Sequence, residues 1–177
     1  AIIAAFGDPG LFAARELFDQ PVIGMSEAAM LTACMLGKRF GIVSFAAQME
    51  AWYAECVESH GLAHRCAGIF CLRESFASIT SVAEEKTEAL VALAGEAGAA
   101  GSDVVILAGA PLAGLAADVA HRIAVPVIDQ AQAALRQAET LARLGPRKAE
   151  AGRFSRPPAK ETSGLPSALA ARIAHRD

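Results

Sequence analysis

The sequence predicts an α/β fold of two related halves, each a parallel sheet flanked by helices. Residues 1–24 and 104–129 both combine a buried strand, a Gly/Pro turn, an Ala-rich helical stretch and a strand opening with Pro-Val-Ile. Short apolar runs also alternate with longer periodic stretches, which is typical of a parallel sheet covered on both faces. Ligands bind outside the carboxyl ends of such strands, so we expect the turns at 6–10 and 108–112 to face one cleft.

Strands are expected at about residues 1–6, 22–24, 39–45, 65–71, 103–108 and 126–128. Helices are expected over 27–36, 47–59, the long segment 75–98, 129–144 and the short segment 167–175. Ser26 is expected to cap the helix that begins at Glu27, and Gly37 to end it in a left-handed conformation.

Four segments follow from this order of elements. They are 1–36, the remainder of a first lobe; 37–128, a second lobe; 129–146, a helix returning toward the first lobe; and 147–177, a basic, Pro-containing arm. The arm holds seven Lys/Arg against three Asp/Glu and is either a free tail or laid over the other half. Because Ala1 already lies in an expected central strand, we also expect an N-terminal portion to be missing.

Composition and charge exclude some classes of binding partner. With 54% hydrophobic residues among 177, the chain can bury a core. A net charge of -3 and a pI near 5.8 argue against a nucleic-acid surface, and no apolar run approaches the ~20 residues of a membrane span. The charge balance therefore favours a small-molecule partner. The four cysteines lack metal-ligand or disulfide spacing, so we expect a cytoplasmic protein with no metal.

The first turn offers a carboxylate at the mouth of the expected cleft. Gly7 allows close backbone approach, Pro9 removes one N–H, and Asp8 supplies the acid. Asp8 is either the N-cap of the helix starting near Pro9 or an acid/base group, and both can hold at once.

The second turn has no side chain that can move a proton. Its backbone N–H groups, around Gly109, Ala110 and Pro111, could bind a carboxylate or another oxyanion at a helix N-terminus. The alternative is a plain tight βα turn.

Other polar residues follow strands at the same edge. Ser44, next to Phe45, could cap the following helix or hold a carboxylate, and capping is favoured. Glu27 and Asp129 could orient a polar ligand, although first-turn acids are commonly solvated.

Cys56 and His60 stand four residues apart and could meet on one helix face. A buried core cysteine beside a helix-terminal histidine is the favoured interpretation. The four histidines show no mutual spacing that suggests a metal site or a triad.

Four motifs together resemble the aspartate/glutamate/hydantoin racemase superfamily, most closely its hydantoin and allantoin racemase branch. They are 4–11 (AAFGDPGL), 21–30 (PVIGMSEAAM), 37–44 (GKRFGIVS) and 125–129 (VPVID), and the tail motif 152–160 (GRFSRPPAK) resembles extensions of that branch. The resemblance runs from residue 1 to about 145. It implies two pseudo-symmetric lobes with the site between them, no cofactor, and an incomplete first lobe lacking some 60 residues at about 30 per βαβ-type unit.

The resemblance also implies a mechanism that this chain cannot copy. Family racemases use one cysteine from each lobe, a thiolate removing the α-proton on one face and a thiol delivering one on the other. The matching positions here are Ala5 and Gly109, so Asp8 is left as the candidate acid or base. The residues expected to line the site are Phe6, Gly7, Ser44, Phe45, Gly109, Ala110 and Pro111.

Three functions remain open at this point. The leading hypothesis is a racemase- or epimerase-family isomerase that takes a small carboxylate or a hydantoin-like cyclic amide between its lobes, with binding favoured over turnover. The second is a catalytically silent binding or regulatory protein of the same fold, and the third is a decarboxylase-type lyase. Association into a homo-oligomer is left open.

Overall fold

The computed structural model describes residues 1–176 and confirms an α/β fold with parallel sheets flanked by helices. The strands are β1 Ile2–Ile3, β2 Ile23–Gly24, β3 Phe40–Ser44, β4 Cys66–Cys71, β5 Val104–Ala108 and β6 Val127–Asp129. The helices are α1 Leu11–Leu17, α2 Met25–Leu36, α3 Glu50–Ser59, α4 Val82–Glu85, α5 Thr87–Ala99, α6 Leu115–Val119, α7 Gln130–Leu144 and α8 Ser167–Ile173. Each strand falls on a predicted one.

The strands form two parallel sheets, one of order β4-β3-β5-β6 and one pairing β1 with β2. Ser44 pairs with Ala108 and Leu107 with Asp129, so β3, β5 and β6 end at one edge of the larger sheet. Both copies of the strand-turn-helix-strand unit place their two strands side by side. The repeat seen in the sequence is therefore a repeat in structure.

Helices cover both faces of the larger sheet. Successive side chains of a strand point to opposite faces, so Ile42 and Ile106 pack with α2 and α3, whereas Val43, Val105 and Leu107 pack with α5 and α6. Strand β5 is buried along its whole length, which explains its unbroken apolar sequence.

Helix α7 packs on α2 and on the small sheet. Ala134 is fully buried in a cluster with Ile23, Met25 and Ala28, and the Asp129 side chain accepts a hydrogen bond from the backbone N–H of Gln132 at the start of the helix. The division of the chain into two lobes, a returning helix and an arm stays a prediction.

The arm contacts α1. The Lys148 ammonium donates to the carbonyl oxygens of Glu16 at 2.9 Å and Phe18 at 3.2 Å. The Arg172 guanidinium donates to the Leu17 carbonyl at 2.8 Å. No helix within the described residues is both long enough and apolar enough to cross a membrane.

Three local predictions were wrong. The segment 75–98 is not one helix: Ser78 closes a turn by accepting a hydrogen bond from the Thr80 N–H at 3.2 Å, and α4 and α5 follow separately. Helix α2 begins at Met25, so Ser26 lies inside it rather than capping it. Gly37 is extended, with φ -151°, and a Cβ there would stand 2.5 Å from the Asp103 side chain, so close packing explains this glycine.

Candidate functional site

The turns after β1 and β5 share an unusual backbone. Gly7 has φ 114° and Gly109 has φ 110°, values that side-chain-bearing residues rarely adopt. Asp8 is also left-handed, with φ 50°, a conformation that Asp tolerates better than most residues. Both turns therefore follow a backbone path at the end of a buried strand that requires glycine.

Tyr53 of α3 lies between the two turns. Its ring meets that of Phe6 edge to face, with centroids 4.8 Å apart. Its hydroxyl lies 3.6 Å from the point where a Cβ on Gly109 would stand. The structure thus places the two predicted turns on either side of one aromatic side chain, while the cleft between them stays a prediction.

The Asp8 carboxylate is buried, with only 2% of its side chain exposed. One oxygen accepts from the backbone N–H of Ser26 at 2.9 Å, and the other accepts from that of Glu27 at 2.8 Å. Asp8 is therefore a helix cap, but for α2: the N-cap of its own helix α1 is Gly10. Its predicted role as acid or base is not tested by these contacts.

His60, at the end of α3, joins this carboxylate to a second one. Its Nε2 lies 3.1 Å from an Asp8 oxygen and its Nδ1 3.5 Å from a Glu27 oxygen. Glu27 also accepts from the Arg15 guanidinium at 3.0 Å. Glu27 was expected to be solvated or to orient a ligand. It is instead part of a network of charged side chains that links α1, α2 and α3.

The charges in this network raise the pKa of His60 and lower that of Glu27. Burial opposes ionisation of His60, but hydrogen bonds to Asp8, Cys56 and Glu27 outweigh it and raise the histidine pKa to about 11. Burial likewise acts against ionisation of Glu27, yet hydrogen bonds from His60 and Arg15 lower the pKa of its carboxyl to about 2. At neutral pH His60 is therefore an imidazolium, and it faces the ionised Glu27 carboxylate.

In the second turn, Gly109 is held by a side chain that the sequence analysis missed. Its N–H donates to the Gln130 side-chain oxygen at 2.9 Å, and the Gln130 amide donates back to the Gly109 carbonyl. Gln130 is fully buried. Because this N–H is already bonded, oxyanion binding by Gly109 is not supported. Pro111 has no backbone N–H, so Ala110 is the turn residue left for the predicted oxyanion-binding role.

The Gly109 position has no room for a side chain. A Cβ there would lie 2.7 Å from the Phe45 ring, well inside normal contact distance. Phe45 is itself fixed edge to face against Phe76, with centroids 5.3 Å apart. Position 109, which the resemblance matches to a family cysteine, is therefore closed to cysteine in this arrangement.

Ser44 does not cap a helix, contrary to the favoured prediction. Its hydroxyl is fully buried and donates to the Ala108 carbonyl at 3.0 Å, which ties β3 to β5. Burial chiefly raises the pKa of the Tyr53 hydroxyl above its ordinary value, an effect that the nearby Ser44 hydroxyl partly opposes. Tyr53 therefore keeps its proton at neutral pH.

Trp52, like Tyr53, was missed by the sequence analysis. A Cβ on Gly7 would collide with its ring, so the indole lies directly against the first turn. The Gly7 N–H donates to the Ser26 hydroxyl. In the same turn, the backbone carbonyl of Ala5 accepts a hydrogen bond from the Asp8 N–H at 3.1 Å. The methyl side chain of Ala5 can transfer no proton.

Comparison with known proteins identifies the family. The profile described as Asp/Glu/Hydantoin racemase matches residues 1–138. The hydantoin racemase of Paenarthrobacter aurescens is 34% identical over 164 residues, which cover 90% of this chain and 68% of that protein. Among solved structures, the allantoin racemase of Klebsiella pneumoniae superposes with a TM-score of 0.80 at 33% identity, over 92% of this chain and 67% of that one.

A second allantoin racemase, from Pseudomonas fluorescens, superposes with a TM-score of 0.82 at 30% identity, over 92% of this chain and 70% of that one. The chain thus spans about two thirds of the length of these relatives. The resemblance drawn from the motifs is confirmed, including its hydantoin and allantoin branch. This chain belongs to the Asp/Glu/hydantoin racemase family.

Proposed function

We propose that this chain binds a small carboxylate or a hydantoin-like cyclic amide at the turns after β1 and β5, without the two-cysteine proton exchange of family racemases. One observation carries the proposal. The positions that the resemblance to the family matches to its cysteines are Ala5 and Gly109, and neither residue has a side chain that can accept or donate a proton.

Packing around the second turn supports the same conclusion. Gln130 bonds both polar backbone groups of Gly109, and Phe45 occupies the space that a side chain would need. The turn is therefore fixed before any ligand arrives. A fixed turn favours recognition, because little ordering remains to be done on binding.

The contacts of Asp8 favour a supporting role for this carboxylate. Its oxygens already accept from two backbone amides and face an imidazolium. A carboxylate held in this way would have to break stabilising contacts before it could take a proton from carbon. This supports recognition over turnover, with Asp8 shaping the turn that contains Phe6 and Gly7.

The relatives supply the ligand classes. Hydantoin and allantoin racemases stand among them, and both names describe cyclic amides. Carboxylates remain candidates because backbone N–H groups at a turn bind oxyanions. All four cysteines are free thiols, which is compatible with the cytoplasmic location included in this proposal.

The test is an NMR titration of the ¹⁵N-labelled chain with hydantoin, allantoin, aspartate and glutamate. We expect saturable shifts of the Gly7 and Ala110 amides with one ligand class. Ala110→Asp adds a negative charge at the turn and should weaken binding of a carboxylate at least about tenfold, a difference of about 1.4 kcal/mol. The matched control Ala113→Asp places the same charge on an exposed neighbour and should change affinity much less. Shifts confined to other regions, or equal effects of the two variants, would overturn the proposal.

A second candidate function, proton transfer at carbon, is favoured by the position of Tyr53. Its protonated hydroxyl lies 3.6 Å from where the Gly109 Cβ would be, near the place to which a family thiol would project. In an isomerase or a decarboxylase, Tyr53 would donate the proton, and Asp8 would be the predicted base. Solvent deuterium entering the substrate, abolished by Tyr53→Phe or Asp8→Asn with ligand affinity retained, would support this candidate. Release of carbon dioxide from a malonate-type acid would distinguish the lyase.

A further inference from the structure

Asp8, Cys56 and His60 bring three different metal-ligand types together. Their donor atoms, a carboxylate oxygen, the thiol sulfur and an imidazole nitrogen, all lie within 4.8 Å of one another. Cys56 lies in the last turns of α3 and His60 is its C-cap, four residues on, so that both lie on one face of the helix end. Asp8 reaches them from the turn after β1, 52 residues before His60.

The three donors suit Zn²⁺. Thiolate, imidazole and carboxylate are its usual protein ligands, with Zn–N and Zn–O distances of about 2.0–2.2 Å. The His60 Nε2 and the Asp8 oxygen stand 3.1 Å apart, a separation that two ligands of one such ion can have. A site with three protein ligands leaves a fourth position for a water molecule.

Neighbouring groups hold two of these donors, Asp8 and His60, in place. Backbone amides of Ser26 and Glu27 hold the Asp8 carboxylate. The second ring nitrogen of His60 faces Glu27, which Arg15 holds in turn. Metal-binding histidines commonly direct their second nitrogen at a carboxylate, and ligating carboxylates are commonly hydrogen-bonded.

We propose that Asp8, Cys56 and His60 form a zinc site that ties α3 to the turn after β1 and to the start of α2. The ion is coordinated by the Cys56 thiolate, the His60 Nε2 and an Asp8 oxygen. On binding, the thiol proton and the imidazolium proton pass to solvent, so that two negative ligands balance the charge of Zn²⁺. The site joins α3 to the turn after β1, which are far apart in the sequence. Its role is to stabilise the fold beside the proposed ligand-binding turns.

Cobalt titration of the reduced, chelator-treated full chain tests this. We expect saturation at one Co²⁺ per chain, with a thiolate-to-cobalt charge-transfer band and the visible bands of tetrahedral cobalt, and displacement by Zn²⁺. Cys56→Ser should remove the charge-transfer band and weaken affinity at least tenfold. Cys66→Ser, which alters a half-buried thiol outside the cluster, should leave both unchanged.

Thermal unfolding provides a second readout that does not depend on colour. Zn²⁺ should raise the Tm of the wild type and of Cys66→Ser, but not that of Cys56→Ser. An ion raises the Tm only when it binds the folded state, and Cys56→Ser lacks one of the three proposed zinc ligands. Far-UV circular dichroism establishes whether each variant is folded. A wild type that binds no cobalt, or binds it without a thiolate band, overturns the proposal whatever the variants do, as does a Cys56→Ser variant that binds as tightly as wild type.

Discussion

Replacing Asp8 by Asn should destabilise the chain far more than the same replacement at an exposed position. The variant keeps one oxygen for the Ser26 or Glu27 N–H but turns an NH₂ toward the other, and His60 loses a carboxylate neighbour. Asn is nearly isosteric and also tolerates the left-handed backbone at this position, so strain is not added. The effect therefore reports the buried charge and its hydrogen bonds.

The magnitude follows from those contacts. A hydrogen bond to a charged group contributes about 1.5–3 kcal/mol, and an unsatisfied buried donor costs about 1–3 kcal/mol. Together with the weakened pairing of a buried imidazolium, we expect Asp8→Asn to lower the free energy of unfolding by about 3 kcal/mol.

Asp103→Asn is the matched control. Asp103 also accepts from two backbone amides, those of Lys38 and Arg39 at 2.9 and 2.8 Å, but it is exposed, so water replaces what is lost. We expect a loss of no more than about 1 kcal/mol there. The assay is urea denaturation in chelator, followed by far-UV circular dichroism. A loss for Asp8→Asn no larger than that for Asp103→Asn would refute the role assigned to the buried carboxylate.

Three further predictions concern the second turn, the histidine and the arm. Gly109→Ala should cost more stability than Gly114→Ala in denaturation experiments, because both glycines have positive φ but only the Cβ at 109 collides with Phe45; equal losses would contradict the packing argument. Since the His60 pKa in the folded state, about 11, exceeds its ordinary 6.5, its stabilising contribution is complete below pH 6.5 and is lost as pH rises through 11. The stability difference between wild type and His60→Gln in chelator should therefore shrink with rising pH over that window, and a difference independent of pH would contradict the shift. Lys148→Met should speed tryptic cleavage after Arg153 and Arg156, because the Lys148 hydrogen bonds to the carbonyl oxygens of Arg15, Glu16 and Phe18 are lost; equal rates for variant and wild type would show that these contacts do not hold the arm.

The strand pattern was readable from the sequence because each strand is a short apolar run bounded by Gly, Pro or charged residues. Strand β5 shows this most clearly, since both of its faces are buried. The long helix over 75–98 was mispredicted for a local reason. Ser78 and Thr80 hydrogen-bond to each other and to nearby backbone, and these bonds compete with the single helix predicted over the segment.

Only some of the site residues could be predicted from the sequence. Asp8 and Gly109 stand in Gly/Pro turns that follow strands, which is a local signal. Tyr53 and Trp52 look like core residues of an amphipathic helix, and their contacts with the two turns depend on how α3 packs. The i, i+4 spacing of Cys56 and His60 was visible, but their third neighbour, Asp8, is brought in by tertiary structure alone.

The most direct test of the central claim is solvent deuterium incorporation at the α-carbon, followed by ¹H NMR in D₂O. The panel is hydantoins, allantoin, aspartate and glutamate, each at a concentration where binding to the chain has been measured. We predict binding of at least one of them with no incorporation beyond the protein-free rate, because Ala5 and Gly109 cannot carry protons. Incorporation that requires the folded chain and is lost in Tyr53→Phe would contradict the account and would place proton transfer at this site.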